Sequence, residues 1–168
     1  DTAGIQEAKM SIRTIKATLA QVLGGVNGMG TIDTARIDPD NLPRKLRGTT
    51  PYWGLTLAGM SDAPAGFGSG IANRRIFREY DLRLEGWRGF VADDDTTEDW
   101  DDLVERVTDH LQTRVREIAQ RESSFMGYTG KPRARLDVVE LLADGAKTGF
   151  RAHHCVIEAT LQFYLALA

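Results

Sequence analysis

Residues 93–102 carry seven acids and no base. Hard cations prefer clustered carboxylates, so a calcium or magnesium loop is the first chemistry to test. Counting from Asp93, the sixth position of an EF-hand loop falls on Glu98 where glycine is required, and the pattern fails. The same acids fit the start of a helix, where carboxylates meet the positive end of the dipole and Asp95 with Glu98 resembles a capping box. His153, His154 and Cys155 are metal-ligand types, but on a strand the two histidines face opposite sides. Only His153 and Cys155 can converge, and two ligands do not complete a zinc site. Gly66-Phe67-Gly68-Ser69-Gly70 fails as a phosphate loop because it leads into a strand and lacks Gly-Lys-Ser/Thr. It fails as a nucleophile elbow because Phe67 stands where glycine is needed before Ser69. The three histidines lie on a helix and on one strand, with no nucleophile and base brought together by spacing. Arg36, Arg44, Lys45 and Arg47, with Arg74, Arg75 and Arg78, read as solvated surface or as a patch facing DNA or an acidic partner. No catalytic, cofactor or metal residue is nominated.

The elements that carry these residues follow from hydrophobic period. Ile5, Ala8, Ile12, Ile15, Leu19 and Val22 recur at helical spacing, and Gly24-Gly25 supply a stop through the left-handed conformation open to glycine. A short strand is expected over residues 31–37, then turn material at 38–43, then a strand over 52–58. Residues 61–73 are rich in Ala, Gly and Ser and are expected to form a long mobile loop. Residues 76–85 alternate, with Ile76, Arg78, Tyr80, Leu82 and Leu84 on one side and Phe77, Glu79, Asp81, Arg83 and Glu85 on the other. Trp100, Leu103, Val104, Val107, Leu111, Val115 and Ile118 form the apolar stripe of one long second helix. A second loop is expected over 121–134, followed by strands over 136–143 and 150–165. The expected fold is therefore α+β, a mostly antiparallel sheet with two helices packed on one face, in the order α-β-β-β-α-β-β.

At 168 residues with 42% hydrophobic and 27% charged side chains, the chain has the size and composition of a single globular domain spanning 1–168. It is long enough to bury a core without a disulfide or metal staple. Its one cysteine, Cys155, rules out an intrachain disulfide. A formal charge of −3 does not describe a polyanion binder. The apolar runs are too short for a membrane helix, and no basic segment followed by an apolar core marks a secretory signal.

The helix closing at Gly24-Gly25, the glycine-rich middle, the alternating strand over 76–85, the helix entered through Thr97-Glu98-Asp99-Trp100 and the terminal strand pair ending in Ile157-Glu158-Ala159-Thr160-Leu161 resemble tail terminator proteins of long-tailed bacteriophages. The similarity spans nearly the whole chain and rests on element order, with no short diagnostic motif. It implies a virion protein, assembled in the host cytoplasm, that forms a hexameric ring with copies of itself at the head-proximal end of the tail tube. Its implied partners are the tail tube protein, a head-completion or neck protein, and double-stranded DNA passing through the lumen without sequence-specific binding. No membrane and no cofactor is implied. Under this resemblance the N-terminal segment and the two loops supply the interface, with Ser61, Pro64, Phe67, Ser69, Ile71 and Asn73 in the first loop and Phe125, Tyr128 and Lys131 in the second. Another neck or tail component, a small enzyme with an unrecognised site and a monomeric binding module are the competing readings.

Overall fold

The computed structural model describes residues 11–35, 42–46, 50–64, 75–90, 97–142 and 149–166. Helix α1 (Ile12–Leu23) opens on a capping box: the Ser11 hydroxyl accepts from the Thr14 amide, and the Thr14 hydroxyl accepts from the Ser11 amide. The helix ends where glycine begins, but the expected left-handed stop is misplaced. Gly24 is right-handed (φ −60°), and the left-handed residues are Gly28 and Gly30, four and six positions further on. Gly30 is required there for a second reason, since a Cβ would collide with the carbonyl oxygen of Pro51.

Strand β1 (Thr31–Asp33) is shorter than expected and runs parallel to β2 (Tyr52–Pro64). The other strand pairs are antiparallel: β2 with β3 (Arg75–Gly89), and β3 with β6 (Gly149–Ala166). On its far side β6 takes two partners in series, β5 (Arg133–Leu142) along residues 149–158 and β4 (Phe125–Tyr128) along 161–163. A four-residue helix, α2 (Leu42–Lys45), starts on the last two residues of the stretch expected to be turn and runs past it. The second helix is two: α3 (Thr97–Thr113) and α4 (Val115–Arg121), separated at Arg114, which leaves helical geometry at φ −92°, ψ 25°. The expected α+β class and its mostly antiparallel sheet hold; α2, the break at Arg114 and β4 are additions to the expected order.

Two loop assignments are corrected. Residues 61–64 are strand: Ser61 pairs with Glu79, Asp62 with Arg78, Ala63 with Phe77 and Pro64 with Ile76. Small side chains carry little strand signal of their own, and here the ladder to β3 and a two-pronged Arg78–Asp62 ion pair (2.7 and 3.0 Å) order them. The span 121–134 holds the end of α4, all of β4 and the start of β5, so Phe125 and Tyr128 stand on a strand and Lys131 in the short connection after it. Phe67, Ser69, Ile71 and Asn73, the acidic residues 93–95, and Arg36, Arg47 and Arg74 lie outside the described residues.

The core lies between one face of the sheet and the helices. Ile15, Leu19, Leu23, Leu103, Val107, Leu111 and Ile118 pack onto Trp53, Leu55, Tyr80, Leu82, Leu84, Cys155, Ile157, Leu161 and Phe163. The alternation expected along β3 and β6 sets this face. The reverse face is covered only in part, where Leu42 and Leu46 meet Tyr52, Trp87 and Ala152. Elsewhere on it Asp81, Arg83, Glu85, His154 and Glu158 form a polar stretch, and Phe77 meets Tyr164 with ring centres 5.6 Å apart.

Candidate assembly interface

β1 occupies the outer side of β2 only along residues 52–54. Beyond Gly54, no described strand pairs with β2 on that side for the ten residues 55–64. At the other end of the sheet, β5 is ten residues long and pairs with β6 alone, so its outer side is likewise without a partner among the described residues. Such edges present a row of unmet amides and carbonyls, a template for another strand.

Side chains on the two edges match. Five large apolar residues are exposed among the described ones, and three of them, Met60 (54%), Leu136 (48%) and Val138 (50%), lie on these edges. Residues opposite one another in antiparallel strands point to the same face. Met60 stands opposite Tyr80, Leu136 opposite Cys155 and Val138 opposite His153. Tyr80, Cys155 and His153 are all buried on the helix side. All three exposed apolar residues therefore project from the helix side of the sheet, at its two opposite rims.

Directions match as well. β3 and β5 both run against β6, and β2 runs against β3, so β2 and β5 point in opposite senses. Two copies set side by side in one orientation bring β5 of the first against β2 of the second as an antiparallel pair. Residues 55–64 sit level with the 157–165 end of β6, and β5 sits level with its 149–158 end. Joined sheets are therefore staggered along the strands, the offset that tilts strands when a sheet closes into a barrel.

The nominated interface residues divide on this frame. Ser61 and Pro64 are exposed at the free end of β2. Phe125 is taken by the core, packed 5.3 Å from the ring of Phe163. Tyr128 is half-buried, its hydroxyl donating to the Leu111 carbonyl (3.0 Å), and burial pushes its pKa well above that of a free phenol. Lys131 is exposed and lines a trough of about 460 Å³ on the reverse face with Asp81, Arg83, Arg133, Glu158 and Thr160. Leu136 and Val138 were legible as strand residues, but nothing in their types marks them as left uncovered by the helices.

Across the reverse face, the Arg83 guanidinium grips the Glu85 carboxylate, His154 Nε2 stands 3.9 Å from Glu85 Oε2, and His154 Nδ1 meets Asp137 Oδ1 at 2.5 Å. The His154 imidazole holds Glu85 below the usual carboxylate range against the opposing pull of burial, with Arg83 adding to the effect. As the alternation predicts, His153 points the other way, into the core beside Phe90 and Trp100. Among the described residues no three His, Cys, Asp or Glu side chains gather as metal ligands.

Cys155 lies at the floor of the core, and burial lifts its thiol to about 12. A thiolate is the reactive form, so a disulfide reagent at neutral pH is expected to leave native Cys155 untouched and to titrate one thiol after denaturation. Rapid labelling of the native chain would mean that the β6 core opens far more readily than its packing implies.

No helix among the described residues is long and apolar enough to cross a membrane. No protein-family model and no curated protein matches the chain.

Proposed function

We propose that this chain is a structural ring protein of a long-tailed bacteriophage tail, of the tail terminator kind, whose copies join edge to edge through β5 and residues 55–64 of β2. The ring caps the head-proximal end of the tail tube, stops its growth and meets the head-completion protein, with double-stranded DNA passing through its lumen. Tail terminator proteins are the family that the element order resembles. The observation that carries the reading is the pair of edges without a strand partner among the described residues: equal in length, opposite in direction, and bearing exposed apolar side chains on the same face. A contact between two different edges of one chain is heterologous, and a heterologous contact repeats until it closes into a ring or runs on as a filament. Main-chain pairing supplies adhesion that does not depend on side-chain identity, while Met60, Leu136 and Val138 supply the apolar seam.

Size exclusion with light scattering, followed by negative-stain imaging, tests the reading. The expected result is a closed ring, formed by the chain alone or on addition of tail tube protein, with tubes capped at one end. A chain that stays monomeric at every concentration and ignores tail tube protein sinks it.

A further inference from the structure

We propose that Asp137, His154 and Glu85 form a proton-operated fastener that holds edge strand β5 to the sheet, closed when the imidazole carries both of its protons. The device belongs to the single chain and stands whether or not copies assemble. Its geometry spans three adjacent strands. His154 of β6 has Asp137 of β5 on one side, at 2.5 Å from Nδ1, and Glu85 of β3 on the other, at 3.9 Å from Nε2. Trp87 of β3 lies beside the imidazole, with ring centres 5.4 Å apart, and leaves it half-buried. A neutral imidazole can donate to Asp137 but carries no charge to attract Glu85 at 3.9 Å; the imidazolium donates to the one and attracts the other.

Charge points the same way. The groups facing His154 are Glu85, with Arg83 attached to it, and Asp137; Arg135 further along β5 is turned to Glu158 on β6 at 3.4 Å. Beyond Trp87, the Tyr52 hydroxyl donates to Asp33 and, raised to about 12, stays neutral through the range in which histidine titrates. With Arg83 and His154 both positive, the Arg83–Glu85–His154–Asp137 chain is balanced; loss of the imidazole proton leaves one carboxylate uncompensated. Burial pulls the imidazole pKa down, but its contacts with Glu85 and Asp137 outweigh that and leave it above the ordinary value of 6.5. A group raised on folding contributes its full stability below the unfolded value and loses it as pH climbs through the folded one. The fastener therefore opens on the alkaline side.

β5 is where such a link matters, because β6 is its sole strand partner among the described residues and most of its side chains face solvent. Asp137 is itself largely exposed, which limits the effect to roughly a fivefold change in local opening, the scale of a surface ion pair.

Hydrogen exchange on the dispersed chain from about pH 5.5 to about pH 9 tests this, with intrinsic rates divided out and the β3–β6 amides as internal reference. The amides of Asp137 and Val139, which stand opposite His154 and Ala152 and point towards β6, are expected to lose protection by roughly fivefold across the histidine titration. His154→Gln, checked for native circular dichroism, is expected to abolish that pH dependence, and the surface variant Asp137→Asn to abolish it with the core untouched. A wild-type profile flat in pH, or one unchanged in Asp137→Asn, overturns the proposal.

Discussion

Replacing Trp53 with alanine is expected to cost about 3–5 kcal/mol, enough to bring a domain of ordinary stability close to unfolding at room temperature. Trp53 is fully buried on β2, where β1 and β3 flank it, and stacks on Trp100 of α3, with ring centres 5.5 Å apart. It thus joins the sheet to the helix layer. Its indole N–H donates to the Met29 carbonyl at 2.7 Å, which ties the turn after α1 to the same point. The ring also lies over Gly86, leaving no room for a Cβ there. Truncation removes the stack, leaves a cavity and strands a buried carbonyl, and each effect acts in the same direction. Urea titration followed by circular dichroism measures the loss. Trp53→Phe keeps most of the ring but not the donor, and the hydrogen bond alone accounts for about 1 kcal/mol of its cost. An alanine variant as stable as wild type would mean that the helix layer is held by other contacts.

The second large effect is on assembly. Leu136→Lys combined with Val138→Lys is expected to weaken association of copies by roughly a hundredfold or more, since lysines placed in an apolar seam must be desolvated. Both side chains are about half exposed in the single chain, so the fold itself should change by about 0.5 kcal/mol or less per site. Light scattering should then show monomers with a melting temperature close to that of the parent. Met60→Lys on the facing edge is expected to act in the same way. Met60→Asp combined with Leu136→Lys should recover part of the loss, because opposite charges then meet across the seam. Rings that persist in the double-lysine variant would place the contact elsewhere on the molecule.

What the sequence made legible follows from which forces act locally. The alternation along β3 and β6 and the helical stripe from Trp100 to Leu111 are patterns of burial written in residue type, and they placed the core face correctly. The arm at 61–64 was missed because Ser, Ala and Pro have no strand preference; the ladder to β3 and the Asp62–Arg78 pair order them. β4 was missed because Phe125-Met126-Gly127-Tyr128 is short and contains a left-handed glycine at its bulge. The break at Arg114 has no glycine or proline to announce it. The edges were illegible for a different reason: whether Leu136 and Val138 are covered depends on how far α3 reaches across the sheet, a property of the assembled layers. The same holds for the fastener, since Glu85, Asp137 and His154 meet only once three strands are in register.

The position of β6 has a consequence for how the chain is made. It follows every strand it joins, yet it lies in the middle of the sheet, and its partners in β3, from Gly89 with Ala152 to Arg75 with Ala166, are all more than sixty residues away in sequence. A polypeptide leaving the ribosome therefore exposes the β2–β3 hairpin, with the inner side of β3 unmated, until residues 149–166 have been synthesised. Pairing over such distances is slow because the intervening chain must first give up its freedom. During that interval the hairpin can adopt a strand from a neighbouring nascent chain, so yield in cells should fall with crowded translation and recover with chaperones that shield unpaired strands.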